Sequence, residues 1–283
     1  MQHLPPYFGF WHYLGHYGLR ATAFLVLAFL MVPILIIIPL SFNTEPYFSF
    51  TEGMLALDPA AYSTRWYANI FNDPKWMIAI RNSFVIGFAA ALISTVLGTI
   101  AAVGLASPVM PFKRLIMALL LSPMIVPLII IAAGMFFFYS RFNLVGSYSG
   151  LILAHAALGV PFVIITVTAT LAGFDRSLYN AGLSMGARPL KAFWDIVIPL
   201  IRPGVISGGL FAFITSFDEV VVVLFIAGPE QRTIPRQMFS GLREQINPTI
   251  LAVATLLILT SIALLVTLEM LRRRSERMRT TAH

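Results

Sequence analysis

The chain has 283 residues, of which 58% are hydrophobic, only 11% are charged and none is cysteine. No water-soluble core needs that much apolar sequence, so the class is an all-α polytopic membrane protein, without disulfides or thiolate metal sites. A net charge of +7 would suit a nucleic-acid binder, but the bases are distributed as a topology signal and no nucleic-acid partner is expected.

Residues 1–18 read as a short aromatic tail with Pro5 and Pro6. Six apolar runs follow, at about 19–42, 78–106, 115–139, 149–173, 204–227 and 248–271, each long enough to span a hydrocarbon core of about 30 Å. The first run lacks a small-residue cleavage signature and is read as a retained span. Pro33 and Pro39 in the first run, and Pro123 and Pro127 in the third, are tolerated where neighbouring helices satisfy the freed backbone. Trp66, Tyr67 and Trp76 suit an outer membrane–water boundary, with docking of a solute-binding protein as a second reading. Gly204, Gly208 and Gly209 open the fifth span and favour close helix contact. Residues 19–271 thus form one membrane domain, and 272–283 a basic tail that also contacts anionic lipid.

The 175–200 loop between spans four and five is polar but periodic. Leu178, Ala181 and Met185 recur at helical spacing, Ser177 stands where an N-cap would be, and Gly186 falls where a C-terminal cap is found. Pro189 can open a second helix carrying Leu190, Phe193, Trp194 and Val197 on one face, with Pro199 helping to end it. On pattern alone an interfacial amphipathic connector is an equal reading. Six spans put both termini on one side. That side holds twelve of the 19 bases, including Lys113, Arg114, Arg176, Arg188, Lys191 and five tail arginines, against seven opposite. The excess of bases places the termini and the loop in the cytoplasm.

No phosphate-binding loop occurs, so any ATP would be hydrolysed by another polypeptide, and the five histidines are too scattered for a metal cluster. Asp218 and Glu219 are the informative acids. At about 1.5 Å per residue from Gly204, Asp218 lies on the order of 21 Å into the fifth span, a depth that His155 shares from the fourth. A carboxylate there costs about 2.5–3.5 kcal/mol and normally faces a cavity or a partner. Adjacent helical residues point about 100° apart, which favours Asp218 for the path and Glu219 for a helix neighbour. A structural hydrogen bond or ion pair is the competing reading for both acids, and a packed histidine is the stronger reading for His155.

The loop spacing Asn180-Ala181-Gly182, three residues, Gly186-Ala187, then Ile196 to Pro199 resembles the cytoplasmic coupling loop of ABC-importer permeases, whose usual pattern is Glu-Ala-Ala, three residues, Gly, nine residues, Ile-x-Leu-Pro. Asn180 and Gly182 depart from the usual Glu and Ala. Ser216-Phe217-Asp218-Glu219-Val220, with Ala227-Gly228-Pro229 beyond it, is similar to the fifth span of the spermidine/putrescine-type permeases. The resemblance implies the permease subunit of a binding-protein-dependent ABC importer in a bacterial inner membrane. It would move a small cationic solute past Ser216, Asp218, Glu219 and His155. The implied partners are an ATPase dimer that binds ATP and Mg, a second and different permease chain, and an extracytoplasmic solute-binding protein. The chain itself would not be an enzyme and would hold no cofactor. The alternative is a stand-alone secondary transporter using Asp218 or Glu219 as a proton or cation site; an intramembrane enzyme ranks below both.

Overall fold

The computed structural model describes residues 10–107, 109–244 and 247–280. Residues 1–9 and 281–283, and the side chains of 271–280 with the tail arginines among them, lie outside the described residues. The elements in chain order are helices α1 (Phe10–Leu40), α2 (Glu52–Leu55), α3 (Arg65–Asn72), α4 (Pro74–Ala106), α5 (Lys113–Leu121), α6 (Leu128–Ser140), α7 (Tyr148–Ala172), α8 (Arg176–Ser184), α9 (Pro189–Ala192), α10 (Ile198–Asp218), α11 (Val221–Ile226), α12 (Ile234–Glu244) and α13 (Thr249–Thr280). Among the described residues the sole β feature is an isolated Asn43–Tyr62 bridge.

Four of these helices, His12–Leu40, Pro74–Ala106, Tyr148–Ala172 and Pro189–Asp218, are long and apolar enough to cross a membrane. The third predicted span is not one straight helix: Lys113–Met124 and Leu128–Ser140 meet at 99°. The break falls at Pro127, whose ψ of 129° takes the chain out of the helix just before α6, while Pro123 sits inside the short turn Ser122–Met124 that follows α5. The last apolar helix runs on to Thr280, past the 271 boundary expected for the sixth span. The first helix likewise starts at Phe10, inside the segment read as a tail.

The chain forms two compact units. One comprises residues 1–72 and 241–283. Its polar centre is Asn43, fully buried, whose amide donates to the Ser49 carbonyl at 3.0 Å and whose own carbonyl accepts from Trp66 Nε1 at 2.7 Å. Tyr67 shares a 2.6 Å hydroxyl bond with Ser41. Two of the aromatics assigned to a lipid boundary are therefore tied down by hydrogen bonds within the protein.

The other unit, residues 73–240, is built on α4, α7 and α10, which pack against one another. Small residues set the spacing. A Cβ on Gly208 would sit 2.4 Å from Thr166 Oγ1 and 2.8 Å from Val163 Cα, and one on Gly204 2.2 Å from Thr170 Oγ1. Side chains cannot pass there, so backbones meet. Ser94 Oγ, fully buried on α4, can donate to the Ala156 carbonyl of α7 at 2.9 Å. Trp76 belongs to this unit and is only 4% exposed, so it packs inside the protein rather than anchoring at an interface. A second core joins α6, α7 and α11 through Ala132, Leu151, Ala154, Leu158, Val222 and Val223.

Candidate transport site: a helical loop and a broken helix

The loop after α7 folds as helix, glycine turn, helix. Asp175, not Ser177, caps α8: its carboxylate accepts from Ser177 N–H at 2.9 Å and from Ser177 Oγ at 2.7 Å. Those two bonds hold the Asp175 carboxyl below its ordinary range. Asp wins the cap over Ser because an ionised acceptor at a helix N-terminus also meets the favourable end of the dipole. Arg176, the first residue of α8, donates to the Ala106 carbonyl at the end of α4, so the loop is tied to a second span.

α8 ends in a Schellman turn. Gly186 N–H bonds the Leu183 carbonyl at 3.0 Å, Ala187 N–H bonds the Gly182 carbonyl at 3.1 Å, and Gly186 takes φ +90°. Only glycine adopts that angle without strain. Gly182 has a second duty, because a Cβ there would lie 2.6 Å from Ile196 Cδ1. Gly182, Gly186, Ala187 and Ile196 are thus parts of one small packed turn, and Asn180 and Ala181 stand exposed on α8.

Pro189 opens α9 as expected, but Pro199 does not end it. The chain passes through a π-helical turn, Phe193–Val197, straight into α10. Here Ile198 N–H bonds the Phe193 carbonyl, an i→i+5 bond, and the widened turn leaves room for a ring that would clash with an ordinary helix. The extra residue also splits the expected apolar face. Ala192 and Val197 are buried, whereas Leu190 is 70% and Trp194 59% exposed. Leu178 and Met185 are exposed as well, so the loop presents large apolar side chains outward.

The fifth span, predicted as one helix over 204–227, is broken. α10 stops at Asp218, Glu219 is extended (φ −73°, ψ 124°), and α11 restarts at Val221. The 100° argument, which assumed one helix, does not apply. Glu219 is 7% exposed, and its Oε1 accepts from Val222 N–H at 2.9 Å, so it caps α11. Asp218 is exposed at the C-terminal end of α10, where the helix carbonyls and its own charge add to one negative potential. Ser216 and His155 are both buried, with Ser216 Oγ and His155 Nδ1 2.7 Å apart. Among the described residues no group of His, Asp or Glu is placed to hold a metal ion.

Sequence reasoning missed the polar network that holds the chain beyond α11. Asn82, buried in α4, donates to the Glu230 and Arg232 carbonyls at 2.6 and 2.9 Å and accepts from Tyr148 Oη at 3.0 Å. Ser83 Oγ accepts Ile234 N–H, and Arg236 donates to the Ala227 and Gly228 carbonyls. Burial and the neighbouring Arg232 pull Arg236 below the ordinary arginine range. The signal available was the Asn82-Ser83 pair inside an apolar run.

Closely packed spanning helices, a helical loop with an apolar outward face, and a span interrupted at a carboxylate pair define a transport protein of the permease class. The chain belongs to the family of binding-protein-dependent transport system inner membrane components, whose model matches residues 94–277. It is 30% identical over 256 residues to the spermidine/putrescine transport system permease protein PotC of Haemophilus influenzae, covering 90% of this chain and 96% of that protein. It is 33% identical over 241 residues to the putrescine transport system permease protein PotI of Escherichia coli K12, covering 81% and 82% respectively. The fold also matches a bacterial ABC transporter involved in import of the acidic polysaccharide alginate, with a TM-score of 0.70 at 15% identity over 95% of this chain and 99% of that one.

Proposed function

We propose that this chain is the permease subunit of an ATP-driven importer for a small cationic solute of the polyamine class. In this reading the chain has six spans, counting the bent α5–α6 pair as one and α13 as the last, and the excess of bases supports a cytoplasmic side for both termini and the α8–α9 loop. The loop docks on a separate ATPase dimer, which binds ATP and Mg and does the hydrolysis. A second, different permease chain completes the path, and an extracytoplasmic binding protein delivers the solute. The polyamine names of the PotC and PotI relatives support the solute class.

The observation that carries the reading is the exposed Asp218 at the negative end of the broken α10. Charge and dipole there favour a cation and repel an anion. The exposed Leu178, Met185, Leu190 and Trp194 support docking, since an apolar patch on a loop rich in Arg and Lys is an expense unless a partner covers it. A stand-alone secondary transporter has no use for such a face. The test of the docking half is cross-linking from Trp194→Cys, or from Leu190→Cys, to the co-expressed ATPase. The expected product joins the two chains and is lost when a soluble ATPase fragment competes. A cysteine at either position that links only to lipid-directed reagents makes the loop a membrane-surface connector instead.

A further inference from the structure

The His155–Ser216 contact lies within a turn of the helix break, and the functional reading leaves it without a task. His155 is 1% exposed in mid-α7, Ser216 is 5% exposed in the last turn of α10, and the two side chains meet at 2.7 Å. One turn away, a Cβ on Gly159 would lie 2.9 Å from Ala212 Cβ, so α7 and α10 are in close contact beside the pair. Among the described residues His155 Nε2 has no hydrogen-bond partner, so the imidazole is held through Nδ1. Beyond the break, Glu219 fixes the first turn of α11 through Val222 N–H. The chain is therefore held by a buried polar contact two residues before Asp218 and by another one residue after it.

We propose that His155 and Ser216 form a buried latch that sets where α10 stops, and thereby where the Asp218 carboxylate is presented. His155 is a positioning residue acting through Ser216, not a contact for the solute. Buried polar groups this close to a helix end are costly unless paired, and pairing selects one rotamer for each. Without the bond only the Glu219 cap opposes continuation of α10 through 218–220, because no proline in Ser216–Val220 forbids a helix. Asp218 would then turn with the continued helix and lose its place at the helix terminus. The role in transport rests on the cation-path reading of Asp218; the positioning itself does not.

The native chain has no cysteine, so Asp218→Cys supplies its single thiol. In the complete importer, reconstituted with its ATPase, second permease and binding protein, the rate of modification of this thiol by a small methanethiosulfonate reports the local geometry. Ser216→Ala and His155→Leu are each expected to change that rate about fivefold, the worth of one intramolecular hydrogen bond. The double variant should change it no further, because both remove the same contact. His155→Asn, whose amide occupies the place of Nδ1, should restore the native rate. In chains that keep Asp218, the same substitutions should raise the KM for putrescine while protein abundance holds. Unchanged modification in both single variants, in complexes of normal abundance, overturns the latch. If His155→Leu fails to assemble, Ser216→Ala decides alone, since it removes one oxygen and leaves the fold's volume intact. A changed modification rate with unchanged putrescine uptake upholds the latch and overturns the cation-path reading of Asp218.

Discussion

Gly208 and Gly182 differ in what surrounds them, and the difference is testable. At Gly208 an added Cβ meets Thr166 Oγ1 and the backbone of Val163, and the latter cannot retreat without moving α7. At Gly182 it meets the end of the Ile196 side chain, which can rotate. Gly208→Ala is expected to cost about 1–3 kcal/mol by overpacking, and Gly182→Ala well under about 1 kcal/mol. Thermal unfolding of the detergent-solubilised importer should separate the two. The carboxylates divide in the same way. Asp218→Asn keeps shape but removes charge, so putrescine uptake should fall with the complex at normal abundance. Glu219→Ala removes the α11 cap at a cost of about 0.5–2 kcal/mol, so it should lower the folded amount first. One immunoblot and one uptake assay read both.

At the scale of elements, the loop is the part whose local chemistry is most legible. Gly186 with its positive φ, the opening of α9 at Pro189 and the exposed α8 follow from residue type and spacing. What stayed hidden was the π-helical turn. It arises because Pro199 must be fitted into a helix that tertiary packing of Val197 and Ile201 keeps going. The break after Asp218 was hidden for the opposite reason. Ser216 to Val222 has no glycine or proline, and the contacts that flank the break, His155–Ser216 before it and Glu219–Val222 after it, are ones that hydropathy does not register. Gly186→Val should force φ out of the left-handed region, unwinding the Schellman turn and detaching Ala187 from Gly182. ATPase association, or coupling of hydrolysis to uptake, should then fall severalfold while the membrane helices stay folded; wild-type assembly and solute-stimulated hydrolysis would remove the loop from the coupling role.

For the whole molecule, composition was enough for an all-α membrane chain, because no other solvent accommodates so much apolar surface. It did not foresee that one predicted span would bend by 99°, nor that the segment before α4 would be organised around a buried Asn43. Both depend on contacts between residues far apart in the chain. The arrangement of α4 is informative at this scale. Arg176 holds its end at Ala106, and Asn82 and Ser83, near its other end, hold the chain that follows α11. The α8–α9 loop and the segment beyond the helix break are thus attached to one helix, which in the proposed importer would be the rigid element linking them.

In the proposed function this chain forms a path for a cation and draws its energy from another subunit. The most direct measurement is uptake of radiolabelled putrescine into liposomes holding either the chain alone or the chain with its ATPase, second permease and binding protein. Uptake is expected only in the complete assembly, only with MgATP inside the vesicle-equivalent cytoplasmic compartment, and without dependence on an imposed proton or sodium gradient. Gradient-driven uptake by the isolated chain would overturn the importer function and make the protein a secondary transporter.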